Sequence, residues 1–158
     1  MSSKALCALV RVAALAAGIC GLALCGYVFP FWLTEIIGFT PGLIEGVICL
    51  GFLWVAAIPC FVILLYVWKV STAIWRDEVF TLKTAKWIKN SAILLLCDAA
   101  FFFLGNIYLL FIGLNRVEIL ILSVLASIFG VSLALLAAVL SRYITKAATL
   151  QEDSEGTI

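Results

Sequence analysis

The sequence contains little charge: only 12% of its 158 residues are Asp, Glu, Lys or Arg, and histidine is absent. Because roughly a quarter of the residues in a soluble domain are charged, this composition excludes an ordinary water-soluble fold. Nine acidic residues nearly balance ten basic ones, which leaves a formal charge of +1. Surfaces that bind nucleic acid are strongly basic, so we expect no direct nucleic-acid binding.

Metal ligands and paired cysteines are also scarce. The sequence has 6 cysteines, but no two form a Cys-x-x-Cys pair and no histidine can complete a zinc site. All of them lie within or at the edge of apolar stretches, where cysteine acts as a small, polarisable core residue. We predict no bound metal and no cofactor. A nucleophile with a base and a phosphate-binding loop are missing as well, so we do not predict an enzyme.

Apolar length is what the sequence has in abundance, since 66% of its residues are hydrophobic. Four apolar stretches, approximately 6–29, 43–68, 88–114 and 119–140, are each long enough to cross about 30 Å of hydrocarbon as a helix. None alternates with a period of two residues, which excludes a membrane β-barrel. The prediction is an all-α integral membrane protein, a single domain over residues 1–158 with four spanning helices in a bundle.

The distribution of Lys and Arg predicts how these helices are oriented. Nine basic residues lie near the N-terminus, around the middle loop 69–87 and in the tail 141–158, whereas only Arg116 lies on the opposite side. Basic flanks stay in the cytoplasm, so both termini and the middle loop are predicted to be cytoplasmic, in a cell membrane. This basic inner surface is expected to attract the anionic headgroups of membrane lipid.

One carboxylate, Asp98, lies about ten residues inside the third stretch, where a charge needs a partner, a proton or water. Arg11 on the first stretch could reach part of the way towards it, and Ser127 on the fourth lies at a comparable depth. Asn106 is the only other strongly polar residue well inside the third stretch. Two interpretations stay open: a structurally paired carboxylate, or the proton or cation site of a small transporter.

Small residues recur every four positions on the first and fourth stretches. Such stripes let helix backbones approach closely, and close packing is what holds helices together in lipid. We expect the first span to pack on the fourth and close the bundle; a homo-oligomer face is the alternative use of the same stripes. The residues concerned are Ala13, Ala17, Gly21, Ala126, Gly130 and Ala134.

The middle loop and the tail hold the candidate partner-binding residues. Thr81 has the residue type of a helix N-cap, and Phe80 precedes it. The fourth helix is expected to continue through Leu150 into an acidic end, which is either a ligand for a cytoplasmic partner or a frayed terminus. The candidate residues are Phe80, Thr81, Leu150, Glu152, Asp153, Thr157 and Ile158.

Two of these motifs resemble a known family, the YoaS-like small bacterial four-span inner-membrane proteins of unknown function. Phe80-Thr81 resembles the family's loop motif, and the chain from Leu150 to Ile158 matches its tail pattern Leu-x-Glu-(Asp/Asn/Glu)-x-x-x-Thr-Ile. The resemblance implies a bacterial cytoplasmic-membrane protein whose relatives are often encoded beside a very small helix-turn-helix DNA-binding protein. We interpret the chain as a regulatory or interaction module that acts through its loop and tail; a proton- or cation-coupled transporter is the alternative.

Overall fold

The computed structural model describes residues 3–31, 43–76 and 78–155, and all regular structure within these ranges is helical. Helix α1 (Ser3–Ala23) continues through a π-helical turn (Leu24–Val28) into the short α2 (Phe29–Phe31). The other helices are α3 (Leu43–Trp75), α4 (Leu82–Phe111) and α5 (Val117–Glu155). Four helical segments in these ranges are long and apolar enough to cross a membrane, which confirms the predicted all-α fold.

Two of the helices extend well beyond the apolar stretches. Helix α3 has 33 residues and α5 has 39. At 1.5 Å per residue, α5 is about 58 Å long, roughly twice the thickness of the hydrocarbon core. Hydropathy identifies only the apolar part of a helix. It therefore does not detect the polar turns by which the helix continues beyond the lipid. The connection between α3 and α4 is therefore confined to residues 76–81.

The start of α4 confirms the predicted cap. Thr81 has an extended backbone, and its hydroxyl oxygen accepts a hydrogen bond from the backbone N–H of Thr84 at 3.3 Å. The Thr84 hydroxyl in turn donates to the carbonyl oxygen of Glu78 at 3.4 Å. Because Thr84 is buried, these bonds fasten the loop to the first turn of α4.

The end of α4 is closed by a glycine in the left-handed region. Gly113 has φ 76°, a conformation that side chains rarely adopt. Its N–H donates to the carbonyl oxygen of Leu110 at 3.1 Å, and the N–H of Leu114 donates to that of Leu109 at 2.9 Å. This pair of bonds satisfies the last carbonyl groups of the helix and turns the chain towards α5.

Neighbouring helices in the chain pack antiparallel, in the order α1, α3, α4, α5. The thiol of Cys7 near the start of α1 lies 3.2 Å from the carbonyl oxygen of Ser71 near the end of α3. The Ser141 hydroxyl on α5 donates to the carbonyl oxygen of Ala85 on α4 at 2.8 Å. The connection between α3 and α4 and both described ends of the chain therefore lie at one end of the molecule, which we name the loop end.

The expectation that the first span packs on the fourth is wrong. Among the described residues, α1 makes extensive contact only with α3 and with its own continuation, and α5 makes extensive contact only with α4. Ala13 and Ala17 are exposed, and the neighbour that Gly21 of that stripe faces is the Phe61 ring of α3. A small-residue stripe shows that close approach is possible, but it does not specify which helix makes the approach.

The stripe on α5 packs instead on α4. A methyl group built at Gly130 would lie 3.4 Å from Cβ of Ala99. Ala134, one turn further along the same face, is 4% exposed, whereas Ala126 is exposed. Helices α4 and α5 share the most extensive contact of any pair in the described chain.

A cluster of buried apolar side chains lies towards the loop end. Ala85, Ile88 and Ile144 form a buried cluster, and Val70 and Ala137 pack against it. The cluster takes side chains from α3, α4 and α5, so these three helices are joined to one another there. Any surface presented at this end is held on a rigid support.

Candidate functional site

The carboxylate of Asp98 faces α3, where its partner is a cysteine. The Cys60 thiol donates to Oδ2 of Asp98 at 3.4 Å. The other oxygen, Oδ1, is buried and has no hydrogen-bond partner in the described part of the chain. A cysteine within an apolar run looks like an ordinary core residue, so the sequence offered no signal that Cys60 would meet Asp98. The pairing depends on the register between two helices.

Asp98 and Cys60 line a groove of roughly 340 Å³ between α3, α4 and α5. Ser127 lines the same groove, as expected if Ser127 and Asp98 lie at a comparable depth in the membrane. Its hydroxyl does not bond to the Asp98 carboxylate. Its hydroxyl lies 2.7 Å from the carbonyl oxygen of Ser123 and 3.4 Å from that of Ala99. The remaining lining is mostly apolar, so the groove offers one carboxylate, one thiol and one hydroxyl to a small occupant.

Arg11 does not meet Asp98. Its Nη2 donates to the Thr72 hydroxyl at 3.3 Å, and its guanidinium lies 5.2 Å from the ring centre of Trp68 and 5.8 Å from that of Trp75. Contact with aromatic faces stabilises a cation that is partly withdrawn from water. The helix register keeps the two charges apart: Arg11 contacts α3 at Thr72 and Asp98 contacts it twelve residues earlier, about 18 Å along the axis.

Asn106 is buried and its hydrogen bonds are local. Its amide group donates to the carbonyl oxygen of Phe102 at 2.8 Å, and its Oδ1 accepts from the side chain of Asn115 at 2.9 Å. Oδ1 of Asn115 accepts from the backbone N–H of Arg116 at 2.9 Å. Asn106 therefore fastens the connection between α4 and α5, at the end of the molecule opposite the loop end, and it does not approach Asp98.

The loop and the tail present apolar side chains at the loop end. Phe80 is 57% exposed and Leu150 is 69% exposed. Thr81 is half-buried and is engaged in capping α4, so its role in the described structure is local. Glu152 is exposed on the last turns of α5. The side chain of Asp153 and the residues Thr157 and Ile158 lie outside the described residues.

The described side chains do not form a cluster of metal ligands. Within the described ranges, no group of three or more Cys, Asp or Glu side chains converges on one point. Asp98 is accompanied by one thiol, and the described parts of the neighbouring helices carry no second carboxylate at that depth. The groove can therefore accept a proton or a single cation at one carboxylate.

Comparison with protein families gives a match that runs from Arg11 in α1 to the end of the chain. The family described as "Protein of unknown function (DUF2975)" matches residues 11–158. The chain belongs to this family. No curated protein and no solved structure matches it. The family description assigns no activity.

Proposed function

We propose that this protein is an interaction module embedded in the bacterial cytoplasmic membrane, which binds a cytoplasmic protein through its loop end. The observation that carries the proposal is the position of Phe80. The adjoining Thr81 and Thr84 fasten the loop to α4, yet the Phe80 ring is left 57% exposed. An exposed aromatic side chain on a rigid support is typical of the anchor residues in protein interfaces.

The end of α5 supplies the second part of the proposed surface. Leu150 is exposed, and the helix continues past it to Glu155 with Glu152 also exposed. An apolar residue followed by acidic ones suits a partner that is basic around an apolar pocket. A small helix-turn-helix regulator, which the family resemblance implies, would supply the basic surface, because DNA-binding proteins carry basic surfaces. We propose a regulator of this class as the partner.

The proposed role requires no catalysis by this chain. The polar side chains inside the described helices are few, and several bond to backbone carbonyl groups of their own or of a neighbouring helix, as Asn106, Ser127 and Ser141 do. Among the described side chains, Cys60 is a thiol beside a carboxylate, that of Asp98, but the groove they line is mostly apolar and adds only the Ser127 hydroxyl. We therefore propose a binding protein rather than an enzyme.

Co-purification from native membranes in mild detergent tests the proposed role. We expect the intact protein to bring down one cytoplasmic protein in a ratio near one to one. Phe80→Ala is expected to lower its recovery at least tenfold, because an interface anchor contributes about 2 kcal/mol or more to binding. Phe111→Ala is the matched control, since Phe111 is 86% exposed at the opposite end.

Three results would count against the interaction module. Equal recovery with Phe80→Ala and Phe111→Ala would remove Phe80 from the interface. If Leu150→Ala recovers as much partner as Leu104→Ala, a variant on the lipid-facing part of α4, the end of α5 would not belong to the interface. Absence of any near-stoichiometric protein would reject the role as a whole.

A small proton- or cation-coupled transporter is the second candidate, and a different observation favours it. Oδ1 of Asp98 is buried without a partner among the described residues, beside a groove of roughly 340 Å³. Proteoliposomes containing the purified protein provide the test. A transporter predicts a proton or alkali-cation flux that Asp98→Asn lowers at least tenfold and that Cys60→Ser, which keeps a donor beside the carboxylate, largely retains. Equal flux in wild type and Asp98→Asn would reject this candidate.

A further inference from the structure

A second groove lies between α4 and α5 at the loop end, away from Asp98. Its volume is roughly 530 Å³. Its inner part is lined by small and aliphatic side chains, and its outer part by basic and hydroxyl groups. The inner residues that matter here are Ile93, Leu96, Ala134, Leu135 and Ala138; the outer ones are Lys89, Arg142, Thr145 and Lys146.

Three cations line this groove. Arg142 and Lys146 are one turn apart on α5, about 6 Å along the axis, and therefore lie on the same face. Lys89 reaches the groove from α4. None of the three side chains forms an ion pair with any acidic side chain that the structure describes. Their positive charge is therefore available to a ligand.

Charge and apolar surface are separated along the length of the groove. From Lys146 to Ala134 the lining covers twelve residues of α5, about 18 Å. Arg142 and Lys146 occupy the outer part of this length, and Ala134, Leu135 and Leu96 occupy the part that lies within the apolar stretches 88–114 and 119–140. A soluble ligand could use only the outer part. An amphipathic ligand, with an anionic head and a hydrocarbon chain, matches both.

We propose that this groove is a binding site for an anionic phospholipid. The phosphate lies between Lys89, Arg142 and Lys146, and one acyl chain lies along α4 and α5 over Ala138 and Ala134. Basic pockets between spanning helices on the cytoplasmic side are suited to such headgroups. With three cations available, a headgroup carrying two phosphates is expected to bind more tightly than one carrying a single phosphate.

Lipid titration of the delipidated, detergent-purified full chain tests the site, with bound lipid counted by native mass spectrometry. The probes are cardiolipin, phosphatidylglycerol and phosphatidylcholine. We expect cardiolipin to bind most tightly, phosphatidylglycerol less tightly and phosphatidylcholine least. The double variant Arg142→Gln with Lys146→Gln is expected to weaken cardiolipin binding at least tenfold. The control is Lys4→Gln with Lys86→Gln, which removes the same charge at the same end, from exposed positions outside the groove, and should change affinity less than twofold.

The apolar half of the site has its own test. Ala138→Leu fills the inner groove without changing charge and is expected to weaken lipid binding about fivefold or more. Ala100→Leu, at an exposed position on α4, is the matched control. Circular dichroism and thermal unfolding establish that each variant is folded. If the double charge variant does not fold, Lys89→Gln replaces it, with the same expected direction.

Several outcomes would overturn the lipid site. Equal weakening by the groove pair and by the control pair would show general electrostatic attraction to the basic end. Binding of inorganic phosphate or glycerol phosphate with the affinity of the phospholipid would show a phosphate site that needs no acyl chain. Unchanged lipid binding in Ala138→Leu would show that the acyl chain does not lie in the groove.

Discussion

Arg11 and Asp98 are both charged side chains on apolar helices, and their surroundings stabilise them in different ways. Arg11 lies against two tryptophan faces and donates to Thr72, near the loop end. Asp98 receives one thiol hydrogen bond from Cys60 and otherwise faces a groove. Because each has its own environment, neither depends on an ion pair with the other. Substitution of one is therefore expected to leave the environment of the other unchanged.

Gly105 is the residue whose replacement should have the clearest effect on stability. A methyl group at this position on α4 would overlap the Phe52 ring of α3, with Cζ only 2.6 Å away. The ring cannot easily move, because it also packs on Phe101 and Phe102 at centroid distances of 5.4 and 5.9 Å. We predict that Gly105→Ala destabilises the protein by about 1–3 kcal/mol, the usual cost of overpacking.

Thermal unfolding in detergent measures the effect at Gly105. Gly51→Ala is the matched control, because Gly51 is a helical glycine where an added methyl group would meet no neighbouring side chain within 4 Å. It should leave the midpoint unchanged or raise it slightly. Phe52→Leu is expected to relieve part of the damage when combined with Gly105→Ala. Equal midpoints for Gly105→Ala and wild type would mean that α3 and α4 are not in this close contact.

At the scale of helices, local chemistry made some features predictable and left others open. Thr81 could be predicted as the N-cap of α4 because a cap depends on residues within one turn. The sequence predicts α5 as far as Leu150, whereas the helix extends to Glu155, since charged residues obscure where a helix ends beyond the lipid. The Cys60–Asp98 contact could not be foreseen, because it depends on the register between two helices rather than on the sequence of either.

Thr81→Ala should loosen the first turn of α4. The substitution removes the acceptor for the Thr84 N–H and one of the groups that fasten Glu78. We predict a loss of about 1 kcal/mol, as for other N-caps, while Thr81→Ser keeps most of the stability. Hydrogen exchange of the backbone amides from Leu82 to Ala85 reports the change. Identical protection in Thr81→Ala and Thr81→Ser would contradict the capping role.

For the whole molecule, composition and apolar length were sufficient to predict four spanning helices, but not their arrangement. The small-residue stripes that contain Ala13 on α1 and Gly130 on α5 indicated faces suited to close packing. In the structure, the stripe on α5 packs on α4, whereas most of the stripe on α1 is exposed. An open series of helices, each packed on its neighbours in the chain, results. The short connections 76–81 and 112–116 favour this order for α3, α4 and α5, because they place consecutive helices side by side.

Engineered disulfides distinguish the open series from a closed bundle. In a background without the native cysteines, Ala99→Cys with Gly130→Cys should cross-link rapidly, because a Cβ at Gly130 lies 3.4 Å from that of Ala99, near the separation that a disulfide requires. Ala13→Cys with Ala134→Cys should not cross-link within one molecule. An efficient intramolecular bond between positions 13 and 134, with none between 99 and 130, would contradict the arrangement.

We propose that the loop end faces the cytoplasm and binds a protein there. Photo-cross-linking in living cells provides the test, with a photoreactive amino acid placed at Phe80 and, as a control, at Phe111. We expect a discrete adduct with one cytoplasmic protein from position 80 and none from position 111. The same adduct pattern at both positions, or adducts with lipid alone from position 80, would contradict it.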